Sequence, residues 1–221
     1  MPDEFRPAFS QAGCSNGVEN FLNSEAVLAI EQMLQKISKP SIVAICGPSC
    51  SGKTTLSSHL AKKGVGNVLA MDAFYYPIPE IKEYLPGIPA FDSPQAFDMS
   101  LLVQCLENIR NGFSVRIPVY HYSRTALGRD AQVDQVFMPA KITLLDGILS
   151  FDESLKHQID FAIYLEREPK ARREARMRRD VAERGVDLIR AAEIYDKMSF
   201  PLFQKYGESQ KQRVNIVLNN Q

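Results

Sequence analysis

The chain predicts an α/β fold built on a doubly wound, mainly parallel sheet in three layers, with a small β insertion. Three observations predict it. Short apolar, β-branched runs alternate with segments of helical period, the pattern of βαβ units whose sheet is covered on both faces. One run, Ile42-Val43-Ala44-Ile45, feeds a G-x-x-x-x-G-K-T loop, and a helix-like segment from Leu56 to Lys63 follows. Two further runs end in carboxylates, Asp72 and Asp146. In such sheets ligands bind beyond the carboxyl ends of the strands.

Taken in order, residues 1–22 mix Pro, Gly, Ser and Asn and read as a loose N-terminal arm, with residues 23–221 as a single domain. From Ser24 to Ile37, Val27, Leu28, Ile30, Met33, Leu34 and Ile37 recur at helical spacing; Ser24 is placed to cap the helix and Lys39-Pro40 to stop it. Strands follow at Ser41–Cys46 and Asn67–Met71, then a Pro- and Tyr-rich loop from Ala73 to about Pro94. A helix from about Gln95 to Arg110 ends at Asn111-Gly112. Ser114–Tyr120 and Val133–Met138 read as short strands around a polar connection, and Lys141–Leu145 and Asp160–Leu165 as buried strands. Pro169–Ala182 is an Arg-rich helix, Asp187–Tyr206 a second long helix, and Val214–Leu218 a terminal strand.

Composition narrows the class. A length of 221 residues and 24% charged residues fit one globular α/β domain. The formal net charge is zero, which argues against bulk attraction to nucleic acid or to an anionic membrane. No apolar run approaches the length of a bilayer span, and the first residues lack a secretory layout, so the expectation is a cytoplasmic protein. Cys14, Cys46, Cys50 and Cys105 have no zinc-ligand spacing and read as reduced thiols. Cys50 is either an oxidation-sensitive brake or simply a small residue that fits its loop.

The loop carries the first chemistry. In Gly47, Ser49, Cys50, Ser51, Gly52, Lys53, Thr54 and Thr55 the glycines let the backbone wrap an anion, and successive N–H groups and the helix N-terminus point at phosphate oxygens. Lys53 adds a charge for the β/γ phosphates, and the Thr54 hydroxyl is a Mg²⁺ ligand. The fold is thus a P-loop NTPase. Asp72 either accepts a proton from an attacking hydroxyl or caps a turn. Asp146 either holds Mg²⁺ with Thr54 or caps the turn before Gly147. Arg172, Arg176 and Arg179 share one helix face. That face is a solvated, salt-bridged surface, a nucleic-acid contact, or a lid over a triphosphate; with a phosphate loop present, the lid accounts best for so many arginines, over about residues 168–186. Tyr120, His121 and Arg124 form a cluster that stacks on a planar base or is merely structural.

These pieces resemble the uridine/cytidine kinase branch of the phosphoribulokinase/uridine kinase family. Seven stretches match in order, from Ile42 to about Leu218. Asp72-Ala73-Phe74-Tyr75 looks like the family's D-x-F-Y, whose Asp is the catalytic base. Ala90-Phe91-Asp92-Ser93-Pro94-Gln95-Ala96-Phe97-Asp98 looks like its N-F-D-x-P-x-A-F-D, which implies that Asp92 binds ribose hydroxyls. Ile117-Pro118-Val119-Tyr120, Leu145-Asp146-Gly147-Ile148-Leu149 and the Arg172–Gly185 stretch are similar to its P-x-Y segment, its E-G-I-L strand end and its arginine lid. Tyr195–Ser209 loosely matches a helix near its C-terminus. The chain departs in having Cys50 within the loop, Asp146 for a Glu, His121 directly after Tyr120, and no proline after Glu208.

The resemblance implies a Mg²⁺- and ATP-dependent kinase for the 5′-hydroxyl of a nucleoside, uridine or cytidine first, with Tyr76, Tyr120, His121 and Arg124 around the base. Rival expectations are another small hydroxylated acceptor (pantothenate, nicotinamide riboside, a sugar phosphate) or a nucleotide-binding regulator without turnover. A guanine switch is disfavoured, since the chain has no N-K-x-D segment. The partner expected is a small molecule rather than nucleic acid or membrane, and a homo-oligomer stays open.

Overall fold

The computed structural model describes residues 15–121 and 128–220. Two helices, α1 (Ser15–Leu22) and α2 (Glu25–Gln35), lead into β1 (Ser41–Cys46) and α3 (Lys53–Lys62). The chain continues through β2 (Asn67–Ala70), a hairpin of β3 (Glu83–Leu85) and β4 (Ile88–Pro89), and α4 (Met99–Arg110). A second hairpin, β5 (Val115–His121) with β6 (Gly128–Phe137), precedes β7 (Ile142–Asp146) and β8 (Phe161–Glu166). Then come α5 (Pro169–Ala182), α6 (Leu188–Ile194), a helical run over 195–212, and β9 (Ile216–Asn219).

The five-stranded sheet has the order β2-β7-β1-β8-β9 and is parallel throughout. Alternation in β1 divides its side chains between two cores. Ile42 faces the cluster that includes Leu102, Leu106 and Ile109 of α4, whereas Val43 and Ile45 face Leu34 of α2 and Leu56 and Leu60 of α3. The three layers are therefore as expected. The sequence of α3, Lys-Thr-Thr-Leu-Ser-Ser-His-Leu-Ala-Lys, is a modest helix former. Its helicity comes from burying Leu56 and Leu60 completely, each contributing about 1.5–3 kcal/mol.

Several local expectations change. Ser15–Leu22, expected to belong to a loose arm, is helical because Phe21 finds a buried place beside α2. Residues 73–94 are more ordered than a loop: 3₁₀ turns and the β3–β4 hairpin cross them. The helix expected from about Gln95 begins at Met99, because Pro94–Ala96 turns as 3₁₀ and the Asp98 carboxylate caps α4 by accepting from Leu101 N. The long helix expected over 187–206 is interrupted by π turns at Tyr195–Ser199 and Phe203–Gly207. Among the described residues no helix is long and apolar enough to cross a membrane. Cys46, Cys50 and Cys105 are free thiols; Cys14 lies outside the described residues.

Candidate active site

The parallel register brings the ends of β1, β7 and β2 to one rim, since Ile45 pairs with Asp146 and Ala70 with Asp146. The phosphate loop leaves β1 at Gly47, whose φ is +131°. A Cβ there would lie 2.3 Å from the Leu165 carbonyl oxygen, so only glycine lets the loop pass this close to β8. Cys50 also takes a left-handed conformation, with φ +61°. Arg167 Nη1 donates to its carbonyl at 3.3 Å. Ser51 N donates to the Pro48 carbonyl at 3.2 Å, and Asn220 Nδ2 donates to the Ser51 carbonyl at 2.8 Å. Gly52 caps α3, and Thr55 follows on its first turn.

Lys53 is buried at the start of α3 and donates from Nζ to the Pro48 carbonyl at 2.8 Å. Burial pushes its pKa below the ordinary lysine value, and the charges of Asp146 and Asp72 work the other way. Asp146 is the converse: burial raises its pKa, opposed by Lys53 and by a hydrogen bond from Thr54. Ser57 Oγ lies 3.2 Å from Asp146 Oδ2. Ser57 ties α3, which Lys53 and Thr54 open, to Asp146, and the turn carrying Asp72 lies against Gly147 next to it, so Lys53, Thr54, Asp146 and Asp72 share one rim.

Asp72 reaches that rim from the 3₁₀ turn Met71–Phe74 just beyond β2. The turn lies close against the end of β7, because Gly147 offers no side chain there; a Cβ would stand 2.5 Å from Met71 Cβ. On its other side Asp72 faces aromatic rings. Tyr75 stacks on Phe97 at 4.0 Å between centroids and stands 5.3 Å from Tyr120. Burial and then the Asp72 charge raise both phenols, Tyr120 to about 12. Tyr76 packs partly buried against the core below. His121 ends β5, and Arg124 lies outside the described residues.

The arginine helix α5 turns inward. Arg172 and Arg176 are each only 8% exposed, which removes them from the solvated-face and nucleic-acid readings. Arg176 donates to Ser49 Oγ at 2.8 Å and to Asp180 Oδ2 at 2.6 Å. Burial works against its charge, but Asp92 and Asp180 outweigh that and hold its pKa above the ordinary guanidinium value. Arg179 and Arg184 each lie 3.2 Å from Asp180 Oδ1. Burial would raise the Asp180 pKa, yet the three arginines together hold it below the usual carboxylate range. The Arg179 charge is also felt at Lys53. Asp92 is buried and lines a small cavity with Ser49, Arg172 and Tyr195.

Of the residues named from the sequence, Lys53, Thr54, Asp72 and Asp146 meet at this rim, with Asp92, Tyr120 and Arg176 beside them, whereas Tyr76 packs against the core and Arg124 lies outside the described residues. Sequence reasoning passes over Ser57, Arg167, Asp180, Tyr195 and Asn220. Asp180 had a signal, its i+4 spacing from Arg176 on the same helix.

The site fits a triphosphate and a hard cation. Lys53 is a buried cation, and Ser51 Oγ is buried with no hydrogen-bond partner among the described residues. Thr54 and Asp146 supply the oxygen donors that Mg²⁺ prefers.

Comparison with known proteins agrees. The family model "Phosphoribulokinase / Uridine kinase family" matches residues 42–221. Uridine-cytidine kinase B of Dictyostelium discoideum is 30% identical over 184 residues, covering 81% of this chain and 74% of that protein. A uridine kinase of Macrococcus caseolyticus is 29% identical over 186 residues, covering 82% and 89%. Phosphoribulokinase from Rhodobacter spheroides has the same fold, with a TM-score of 0.60 at 16% identity over 82% of this chain and 70% of that one.

Proposed function

Because the chain belongs to the phosphoribulokinase/uridine kinase family and is a small-molecule kinase, we propose that it transfers the γ-phosphoryl group of ATP to the 5′-hydroxyl of a nucleoside, uridine or cytidine first. The observation that carries the reading is the meeting of Asp72 with both halves of the rim. Its charge acts on buried Lys53 on one side and on the Tyr75 and Tyr120 phenols on the other. A hydroxyl on a planar acceptor lying against those rings reaches a base and a phosphate cradle together.

Asp72 takes the proton of the 5′-hydroxyl as its oxygen bonds to the γ-phosphorus, and the bond from that phosphorus to the β–γ bridging oxygen breaks, releasing ADP. Gly47 to Thr55 cradle the phosphates, and Lys53 lies against the β/γ oxygens. Thr54 and Asp146 would hold Mg²⁺, which would screen the phosphate charge. Arg172, Arg176 and Arg179, on a lid over about residues 168–186, face the charge that develops on the transferring group. Asp92 accepts hydrogen bonds from the ribose. Tyr120, with His121, Arg124 and Tyr76, borders the base. Most of the rate enhancement comes from positioning and electrostatics.

The test is ADP release with ATP and Mg²⁺ against a panel of acceptors. Uridine or cytidine is expected to give the largest kcat/KM. Turnover confined to pantothenate, nicotinamide riboside or a sugar phosphate would reject the nucleoside assignment and keep the kinase. Binding of ATP with no release above the no-acceptor baseline, for any compound, would identify a regulator.

A further inference from the structure

The hydroxyl of Tyr195 is buried and has no hydrogen-bond partner among the described residues, and the same holds for Nε of Arg172. Their residues are 5% and 8% exposed. Both line one cavity with Ser49, Asp92 and Ser199. A buried donor without an acceptor costs about 1–3 kcal/mol, so two in one niche call for an explanation.

The size of the niche narrows the explanation. Its volume is about 10 Å³. Ligand pockets run to roughly 300–1,000 Å³, whereas one water-sized group needs only about 10–15 Å³. It is therefore not a second small-molecule site. It takes one atom-sized group beside Asp92.

The chemistry narrows it further. Burial raises the Tyr195 phenol, so it stands as an O–H donor at neutral pH, and Arg172 is a permanent N–H donor. Asp92, on the same wall, is an acceptor when ionised. A group that suits all three must accept from two donors and donate to a carboxylate. A hydroxyl does both. A phosphoryl oxygen cannot donate, and it would face the Asp92 charge. The phenol is held in place by packing: its ring lies among Met177 and Ala191 and is stacked with Phe200 at 6.2 Å. Tyr195 also opens the first π turn of the helical run, a distortion frequent at functional sites.

We infer that Tyr195 is an acceptor-binding residue whose hydroxyl donates to one sugar hydroxyl of the ribose diol, the same hydroxyl that donates to Asp92. The inference rests on the nucleoside reading and deepens it. It makes Tyr195 a discriminator between ribose and deoxyribose, which Asp92 alone reads only as an acceptor.

Steady-state kinetics of the parent and Tyr195→Phe with uridine, 2′-deoxyuridine and 3′-deoxyuridine test it. The variant loses an unpartnered hydroxyl and no packing, so its melting temperature is expected to match or exceed the parent's. With uridine, kcat/KM is expected to fall about tenfold, mostly through KM, with KM for ATP unchanged. With whichever deoxy substrate lacks the hydroxyl at the niche, the penalty is expected to vanish. An equal penalty on all three substrates, or none on uridine, overturns the assignment, and a resident water then accounts for the two donors. If the parent phosphorylates no nucleoside, the nucleoside reading falls and takes this inference with it.

Discussion

Asn220, one residue past β9, donates its side-chain amide to the carbonyl of Ser51 at 2.8 Å. The last strand of the sheet thereby closes onto the phosphate loop, 169 positions earlier in the chain. Its backbone N–H is tied in turn to the Glu166 carbonyl at 2.8 Å, so β8, β9 and the loop form one unit.

Asn220→Ala removes a single neutral hydrogen bond from that unit. The expected result is a rise in KM for ATP of about fivefold, from roughly 1 kcal/mol, with the acceptor KM unchanged. Steady-state kinetics with each substrate varied separately will check this. An effect on the acceptor KM alone would contradict the placement.

Asp72→Asn is expected to cut kcat by roughly 10² or more, on the magnitudes of general-base catalysis, while leaving ATP affinity near that of the parent. Calorimetric ATP titration alongside turnover separates the two quantities. Undiminished turnover would remove Asp72 from the role of base.

Asp180→Asn tests the anchor of the arginine helix. Asp180 is only 3% exposed and faces Arg176, Arg179 and Arg184, so losing its charge leaves buried positive charge uncompensated. The expected destabilisation at pH 7 is about 3 kcal/mol, or a fall of roughly 6–12 °C in melting temperature. Because the folded-state pKa lies below the unfolded value of about 3.9, the parent holds this stability fully above that value and loses it as pH falls through the folded pKa. The gap between parent and variant should therefore narrow below about pH 4. Thermal denaturation from pH 3 to 7 gives the answer, and a constant gap would count against the mechanism.

Gly47→Ala is expected to be far worse than an ordinary surface change. The added carbon meets a backbone carbonyl of β8 at 2.3 Å, which a rotamer change cannot relieve. We expect about 3 kcal/mol lost in urea denaturation, with ATP binding at least tenfold weaker. A variant that binds ATP as the parent does would show that β8 can yield.

What the sequence discloses follows from distance along the chain. The phosphate loop is legible because Gly47 to Thr55 act through their own backbone and one helix start. Asp72 and Asp146 are legible because apolar runs end at them. Tyr195 and Asn220 are not, because the hydroxyl of one has no partner among the described residues and the partner of the other lies 169 positions away. Arg176 reaches Ser49 across 127 positions, which no local pattern encodes. The same limit produced the smooth long helix expected over 187–206: helical period persists through the two π turns, which shift the helix face without erasing its apolar residues.

The left-handed bend at Cys50 has a consequence for recognition. A non-glycine residue at φ +61° is about 1–2 kcal/mol uphill, and here Arg167 and the Pro48–Ser51 turn hold it in place. That distortion is settled when the chain folds. An incoming nucleotide then meets a cup of fixed shape and has little ordering entropy to overcome, so affinity here should depend on keeping the frame rigid as much as on the contacts themselves.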